Sequence, residues 1–245
     1  MRDHRIFVDE PLAPGQTLVL PPDATQHLIG VLRLTTGTAI RLFNGDGLDY
    51  AGRLLDTNRR GVRIAVEQAD GLPEAHPSLT IRLGLGVSRG ERFDYALQKA
   101  VELGVNEIQP LFTERSVVRL AGDRLAKRER HWRGILISAC EQSGRRRLPL
   151  LAPTTRLGDW LARGQPGGLL LDPRAEGCLP DLAAPQGAVT LLVGTEGGLD
   201  DEERGTALRA GFTGVRLGPR ILRTETAPLA AIAAIQVLWG DFRRC

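Results

Sequence analysis

Cysteine is scarce: the chain has three, Cys140, Cys178 and Cys245, an odd number set far apart, which leaves no disulfide framework to read. That usage points to a reducing compartment, and the cytoplasm is the expected location. No run of about 18 consecutive apolar residues occurs. The chain opens on Arg2, Asp3, His4 and Arg5 with no apolar stretch behind them, so neither a membrane span nor export is expected. The histidines His4, His27, His76 and His131 are scattered, and no His or Cys pair has metal-ligand spacing, so no metal is expected. Lysine is nearly missing, with only Lys99 and Lys127, and aromatic residues make up 4% of the chain.

What is present is enough apolar material for a core. With 245 residues, 42% of them hydrophobic, the chain is expected to fold as one large domain or two modest ones. Net charge is +3, but it is unevenly spread. Residues 1–72 hold eight Arg against nine Asp or Glu, whereas Arg115 to Arg147 holds ten Lys or Arg against three acids, a local +7. A stripe of this kind suits a phosphate backbone, because neutralising phosphates releases counterions. A solvated helix face bearing Arg124, Lys127, Arg128 and Arg130 is the competing reading, and the arginine excess also fits a bias of genome composition.

From Arg5 to about Gln68, short apolar runs alternate with turn residues. Ile6-Phe7-Val8, Thr17 to Leu20, Thr38 to Phe43, Asp49 to Leu55 and Gly61 to Val66 read as strands, with one short helix around Thr25 to Arg33. A small β-barrel follows. The break from Gly71-Leu72-Pro73 to Pro77 ends this texture, and the boundary is placed after Leu72. Beyond it, strands alternate with longer helices. Leu79 to Val87 is a near-continuous apolar strand, followed by a helix from Glu91 to Leu103, a strand from Ile108 to Phe112 and a long helix from Asp123 to Gly144. Leu169-Leu170-Leu171 and Val189 to Val193, the latter interrupted only by Thr190, are apolar runs of the sort buried on both faces of a parallel sheet. A further strand ends at Arg216-Leu217, and Ala227 to Leu238 is apolar all round. The expected class is α/β with an open, mostly parallel sheet.

In such sheets ligands bind beyond the carboxyl ends of the strands. Two loops stand there, Val193-Gly194-Thr195-Glu196-Gly197-Gly198 and Leu217-Gly218-Pro219-Arg220-Ile221-Leu222-Arg223-Thr224-Glu225-Thr226-Ala227. A glycine loop opening a helix often cradles phosphate. Here Asp200, Asp201, Glu202 and Glu203 fill the first turn that follows, so carboxylates already complement the helix dipole and an anion is repelled. With Glu196 inside the loop, the pocket suits a neutral or cationic ligand approached by bare backbone. S-adenosylmethionine, a sulfonium cation whose adenine wants apolar walls such as Leu217, Ile221 and Leu222, fits that description. Taken singly, either loop reads as a tight turn.

Together the two strings resemble the signature loops of the RsmE family. Ser88-Arg89-Gly90-Glu91, Gln98-Lys99 with Glu102-Leu103-Gly104-Val105, and Cys140-Glu141-Gln142-Ser143-Gly144-Arg145 support the match, which runs over nearly the whole chain. The resemblance implies a SPOUT methyltransferase, with a PUA-like β-barrel over residues 1–72 that binds RNA. Residues 73–245 would then form an α/β domain tied in a C-terminal trefoil knot, carrying the donor site and the dimer contact. It further implies a homodimer that methylates N3 of a uridine in 16S ribosomal RNA of the small subunit. Carried over onto this sequence, the donor pocket is Leu170, Leu171, Gly194, Glu196, Gly197, Leu217, Gly218, Ile221, Leu222 and Thr226. Thr195 stands where the family usually has proline.

N3 of uridine carries a proton between two carbonyls, so methylation needs a base for the proton and a cation for the charge left on O2 and O4. Arg223 is the expected electrostatic partner and Glu225 or Glu196 the base, with Glu141 a further candidate supplied across the dimer. Each carboxylate is equally readable as a helix cap or an ion-pair partner. Arg5, Arg33, Arg89, Arg115, Arg145, Arg146 and Arg147 are the expected RNA contacts. With few aromatics for stacking, a flipped base would rest on an apolar or arginine surface.

Readings from other classes fare worse. Gly86-Val87-Ser88-Arg89-Gly90 matches the nucleophile elbow of serine hydrolases, but the only histidine after Ser88 is His131, so the triad cannot be completed in order. Gly84, Gly86 and Gly90 miss dinucleotide spacing by one residue, since Arg89 occupies the place of the third glycine. The remaining competitors are a ribose 2′-O-methyltransferase of the same superfamily and a catalytically silent RNA-binding module.

Overall fold

The computed structural model of the protein describes residues 4–20, 25, 27–58, 61–118, 120–165 and 167–243. Of the residues singled out above, Arg2, Asp3 and Cys245 lie outside these. Contacts divide the chain into two compact units. The first takes the chain up to His76 together with Cys140–Leu148, and the second takes Pro77–Ala139 and Pro149 onward. The division therefore falls four residues beyond Leu72 and returns a later segment to the first unit.

In the first unit, β1 (Arg5–Phe7), β2 (Thr17–Val19), β3 (Ala39–Phe43), β4 (Asp49–Asn58) and β5 (Gly61–Asp70) form one sheet in the order β1-β3-β4-β5-β2. Only the β1–β3 pair is parallel. Alternation places Val62, Ile64 and Val66 of β5 inside, against Leu28, Leu42 and Leu54. The pairing of β4 and β5 shifts register at Ala51/Gly52 and again at Leu54/Asp56, and such bulges add twist to the sheet. The expected helix near Thr25 is a single π-helical turn, His27–Val31. Gly30 and the β-branched residues beside it disfavour an α-helix, and the segment is anchored by the fully buried Leu28.

The second unit holds a seven-stranded, wholly parallel sheet. Its strands are β6 (Thr80–Gly86), β7 (Glu107–Phe112), β8 (Leu150–Leu151), β9 (Thr155–Arg156), β10 (Gly168–Leu171), β11 (Ala188–Val193) and β12 (Thr213–Val215). They lie in the order β12-β10-β11-β6-β7, with β8 and β9 both on the outer edge of β7. The helices are α1 (Glu91–Glu102), α2 (Gly122–Ser143), α3 (Leu157–Leu161), α4 (Asp201–Arg209) and α5 (Thr226–Trp239). β11 is covered on both faces, so Val189, Leu191, Leu192 and Val193 are all buried. Phe93 of α1 packs on Trp132 of α2 with ring centroids 4.7 Å apart. Trp160 of α3 lies over Gly84 of β6 so closely that a Cβ there would come within 2.5 Å of the indole.

Because β6, β10, β11 and β12 are parallel neighbours, the loops that follow them emerge along one edge of the sheet. The stretch after β10 returns toward β12: Asp172 donates its N–H to Val215 at 3.0 Å, and Arg216 donates to Gly177 at 2.9 Å. A 3-10 turn within it, Leu179–Asp181, packs against α5. No helix among the described residues is long and apolar enough to cross a membrane.

Candidate active site

The loop after β11 is built tight. Thr195 and Gly198 form an isolated bridge, and the Gly198 N–H returns to Thr195 O at 2.8 Å. The end of β6 is pressed against it, for a Cβ on Gly86 would lie 2.8 Å from Thr195 N and 2.9 Å from Gly194 C. Gly194 likewise has no room, since its Cβ would meet Gly198 C at 2.8 Å. Thr195, where proline was the expected residue, is buried and sends its hydroxyl to Arg115 O at 3.4 Å. Arg115 in turn donates Nη1 to Gly197 O at 2.7 Å. The acidic turn that follows is a complete capping box: Asp200 Oδ1 accepts the Glu203 N–H at 2.7 Å, and Glu203 Oε2 accepts the Asp200 N–H at 3.1 Å. The Glu203 amide in the first turn of α4 thus has a carboxylate partner of its own.

The second glycine loop meets the first through one hydrogen bond, Thr224 Oγ1 to Gly194 O at 2.9 Å. Gly218 turns this loop with φ of +74°, a left-handed conformation that favours glycine. Arg223 O accepts both the Thr226 and Ala227 N–H groups at 2.9 Å, which starts α5. Leu217 and Leu222 are half-buried, Thr226 and Arg223 are exposed, and Ile221 is 84% exposed. Leu170 and Leu171 end β10, the neighbour of β11, the first buried and the second partly open. The structure therefore gathers the sequence-derived pocket residues onto adjacent strand ends of one unit.

The three candidate bases separate in kind. Glu196 already has partners, accepting the Arg89 N–H at 3.3 Å and lying 3.6 Å from Arg92 Nη1. Glu225 is the N-cap of α5 but caps nothing with its side chain, and its Oε2 is buried without a hydrogen-bond partner. A buried, unmatched carboxylate oxygen is costly unless something cationic or a donor completes it. An apolar side chain left open at Ile221, bare loop backbone and a carboxylate oxygen without a partner are chemistry that fits a sulfonium cation. Glu141 lies in the first unit, where Oε1 accepts the Phe7 N–H at 3.0 Å.

The arginines singled out from charge also divide. Arg33, Arg89 and Arg115 are exposed. Arg5 and Arg146 instead converge on Asp49, which is 2% exposed, at 2.9 and 3.0 Å, with Arg41 at 3.8 Å. Arg5 also donates to Arg145 O at 3.0 Å and lies over the Phe43 ring at 4.9 Å. Burial pushes its pKa down from the ordinary arginine value, opposed by Asp49. Glu74 Oε2 accepts the backbone N–H groups of Arg146 and Arg147 at 2.7 and 3.1 Å. Charge counting gives no warning of this, because it cannot distinguish a solvated guanidinium from one turned inward. Among the described residues no group of three or more His, Cys, Asp or Glu could hold a metal ion.

Two family models match: one described as an RNA methyltransferase domain, over residues 75–236, and one as an RNA methyltransferase PUA domain, over residues 20–67. The chain is thus an RNA methyltransferase by family, α/β in its larger unit and PUA-like in its smaller one. A solved ribosomal RNA small subunit methyltransferase E from Neisseria gonorrhoeae, bound to S-adenosyl methionine, is 41% identical. That likeness covers 98% of this chain and 100% of that one, with a TM-score of 0.90. A Legionella pneumophila methyltransferase solved with bound SAM is 36% identical over 98% and 100% of the two chains, with a TM-score of 0.93. The ribosomal RNA small subunit methyltransferase E of Buchnera aphidicola is 32% identical over 97% of each chain. The protein belongs to the ribosomal RNA small subunit methyltransferase E family.

Proposed function

We propose that the protein transfers a methyl group from S-adenosylmethionine to N3 of a uridine in 16S ribosomal RNA of the small subunit. The observation that carries this is the joining of the two glycine loops by the Thr224–Gly194 hydrogen bond beside an unmatched Glu225 carboxylate oxygen. The RNA methyltransferase family models and the relatives solved with the donor agree with it. When bound, the donor supplies an electrophilic methyl on a positively charged sulfur. Leu170, Leu171, Gly194, Gly197, Leu217, Gly218, Ile221, Leu222 and Thr226 would hold it, largely through backbone and apolar contact.

The remaining work falls to this chain's own groups. Glu225 is the favoured acceptor of the N3 proton, because Glu196 is already bonded to Arg89 and Arg92. Arg223, exposed in the same loop, would pair with the negative charge spread over O2 and O4, and such positioned charge is worth most where water is excluded. RNA phosphates would be met by Arg33, Arg89, Arg115 and the basic face of α2, with Arg5, Arg145, Arg146 and Arg147 shaping the first unit that presents the RNA. The return of the stretch after β10 onto Arg216 and α5 favours a knotted C-terminus. α5, apolar nearly all round with Val237 57% exposed, favours a homodimer, acting in the cytoplasm where ribosomes assemble.

N3 methylation blocks the Watson–Crick edge, so it halts reverse transcriptase, whereas a ribose methyl does not and a silent binding module leaves no mark. Deleting the gene is expected to remove one such stop from small-subunit RNA, and purified protein with donor to restore it. A stop that persists in the deletion strain refutes the N3 assignment.

A further inference from the structure

Asp172 is the first residue after β10, directly behind Leu170 and Leu171, and its side chain is only 6% exposed. Its N–H is bonded to Val215 O at the end of β12. Its Oδ1 accepts the Arg174 N–H at 2.9 Å, and its Oδ2 accepts Nε of Arg204, which lies on α4. Arg174 carries the network on to Asp201, the first residue of α4, at 2.6 Å. Asp172 thus ties together three elements: its backbone N–H joins the end of β10 to the strand that leads into the Leu217–Thr226 loop, and its carboxylate joins it to the helix that follows the Gly194–Gly198 loop.

Burial alone would raise the Asp172 pKa, but hydrogen bonds from Arg204 and the Arg174 backbone, together with the two guanidinium charges, outweigh it and hold the carboxyl below its ordinary value. A buried ion pair contributes little net stability compared with apolar packing, so its value is geometric. The network fixes where the loops begin.

We propose that Asp172 is a positioning residue for the donor site, its carboxylate acting through Arg204 and Arg174 to hold the end of β10 and α4 in the arrangement that lets the two glycine loops close on the donor. This rests on the reading of those loops as the donor pocket. Asp172→Asn keeps the shape and removes the charge. Its test is calorimetric titration with S-adenosylhomocysteine, together with donor KM and kcat on small-subunit RNA and a thermal melt. Loss of a charge-assisted network is expected to weaken donor binding and raise donor KM about tenfold, with kcat at saturating donor within about threefold of wild type. A merely structural defect lowers the active fraction instead, so kcat falls at unchanged donor KM, and that pattern overturns the proposal. Should Asp172→Asn not fold, Arg174→Ala removes only the outer arm, and is expected to raise the same dissociation constant several-fold. Equal binding by the folded variants and wild type refutes the positioning role alone. Failure of wild type to bind the ligand refutes the donor-site reading beneath it.

Discussion

Gly86 and Gly84 sit two residues apart in β6 on the same side of the strand, and the structure assigns them different neighbours. A methyl at Gly86 would meet Thr195 N at 2.8 Å and Gly194 C at 2.9 Å, whereas one at Gly84 would meet the Trp160 ring at 2.5 Å. Ordinary contact begins at 3.4 Å, so Gly86→Ala must drive the first glycine loop outward by about 0.6 Å, backbone against backbone. Overpacking of this sort costs about 1–3 kcal/mol. If all of it falls on the donor-competent position of the loop, affinity drops by roughly 5- to 150-fold. Gly84→Ala should cost similar stability through the displaced indole but leave donor affinity within about twofold. Calorimetric titration with S-adenosylhomocysteine beside urea denaturation separates the two. A Gly86→Ala protein that binds like wild type while losing only stability would show that loop position and strand packing are uncoupled, and the reasoning would fail.

Three further outcomes are expected. Asp49→Asn should destabilise the first unit by about 3–5 kcal/mol, because Arg5 and Arg146 are left facing a neutral group at a buried site; denaturation followed by a reporter in that unit measures it, and a loss under about 1 kcal/mol would contradict the hub. Burial pushes the Cys140 thiol up from 9.0 to about 11, so Cys140 should resist alkylation at pH 8 while Cys178, partly open, reacts; peptide mapping by mass spectrometry decides. The same shift means the folded chain keeps the Cys140 proton longer than the unfolded one. Stability should therefore fall as pH rises from 9.0 toward about 11.

The elements legible in the sequence are those whose burial is complete. Ala188–Val193 and Gly168–Leu171 read as strands because both faces are covered and, Thr190 apart, no position is polar. The two glycine loops stand out because an acidic turn follows Gly198, and in the structure Asp200 and Glu203 of that turn close a capping box on α4. β8 and β9 were not legible. Each is two residues long, and they are strands only because β7 offers its edge on either side of Pro153, which cannot donate to a ladder. The inward turn of Arg5 and Arg146, and the pairing of Asp172 with Arg204, depend on residues more than 25 positions apart. No local pattern carries such pairings.

The first unit is discontinuous along the chain, since Cys140–Leu148 completes it. During synthesis, its strands leave the ribosome long before Arg146 has been added, so Asp49 and Glu74 must wait for partners that are not yet made. Vectorial folding, in which the amino-terminal part settles first, is thereby denied to this molecule. The smaller unit reaches its final form only after β7 and the whole of α2 have been translated, and a fragment cut at His76 would lack the piece that neutralises its own interior.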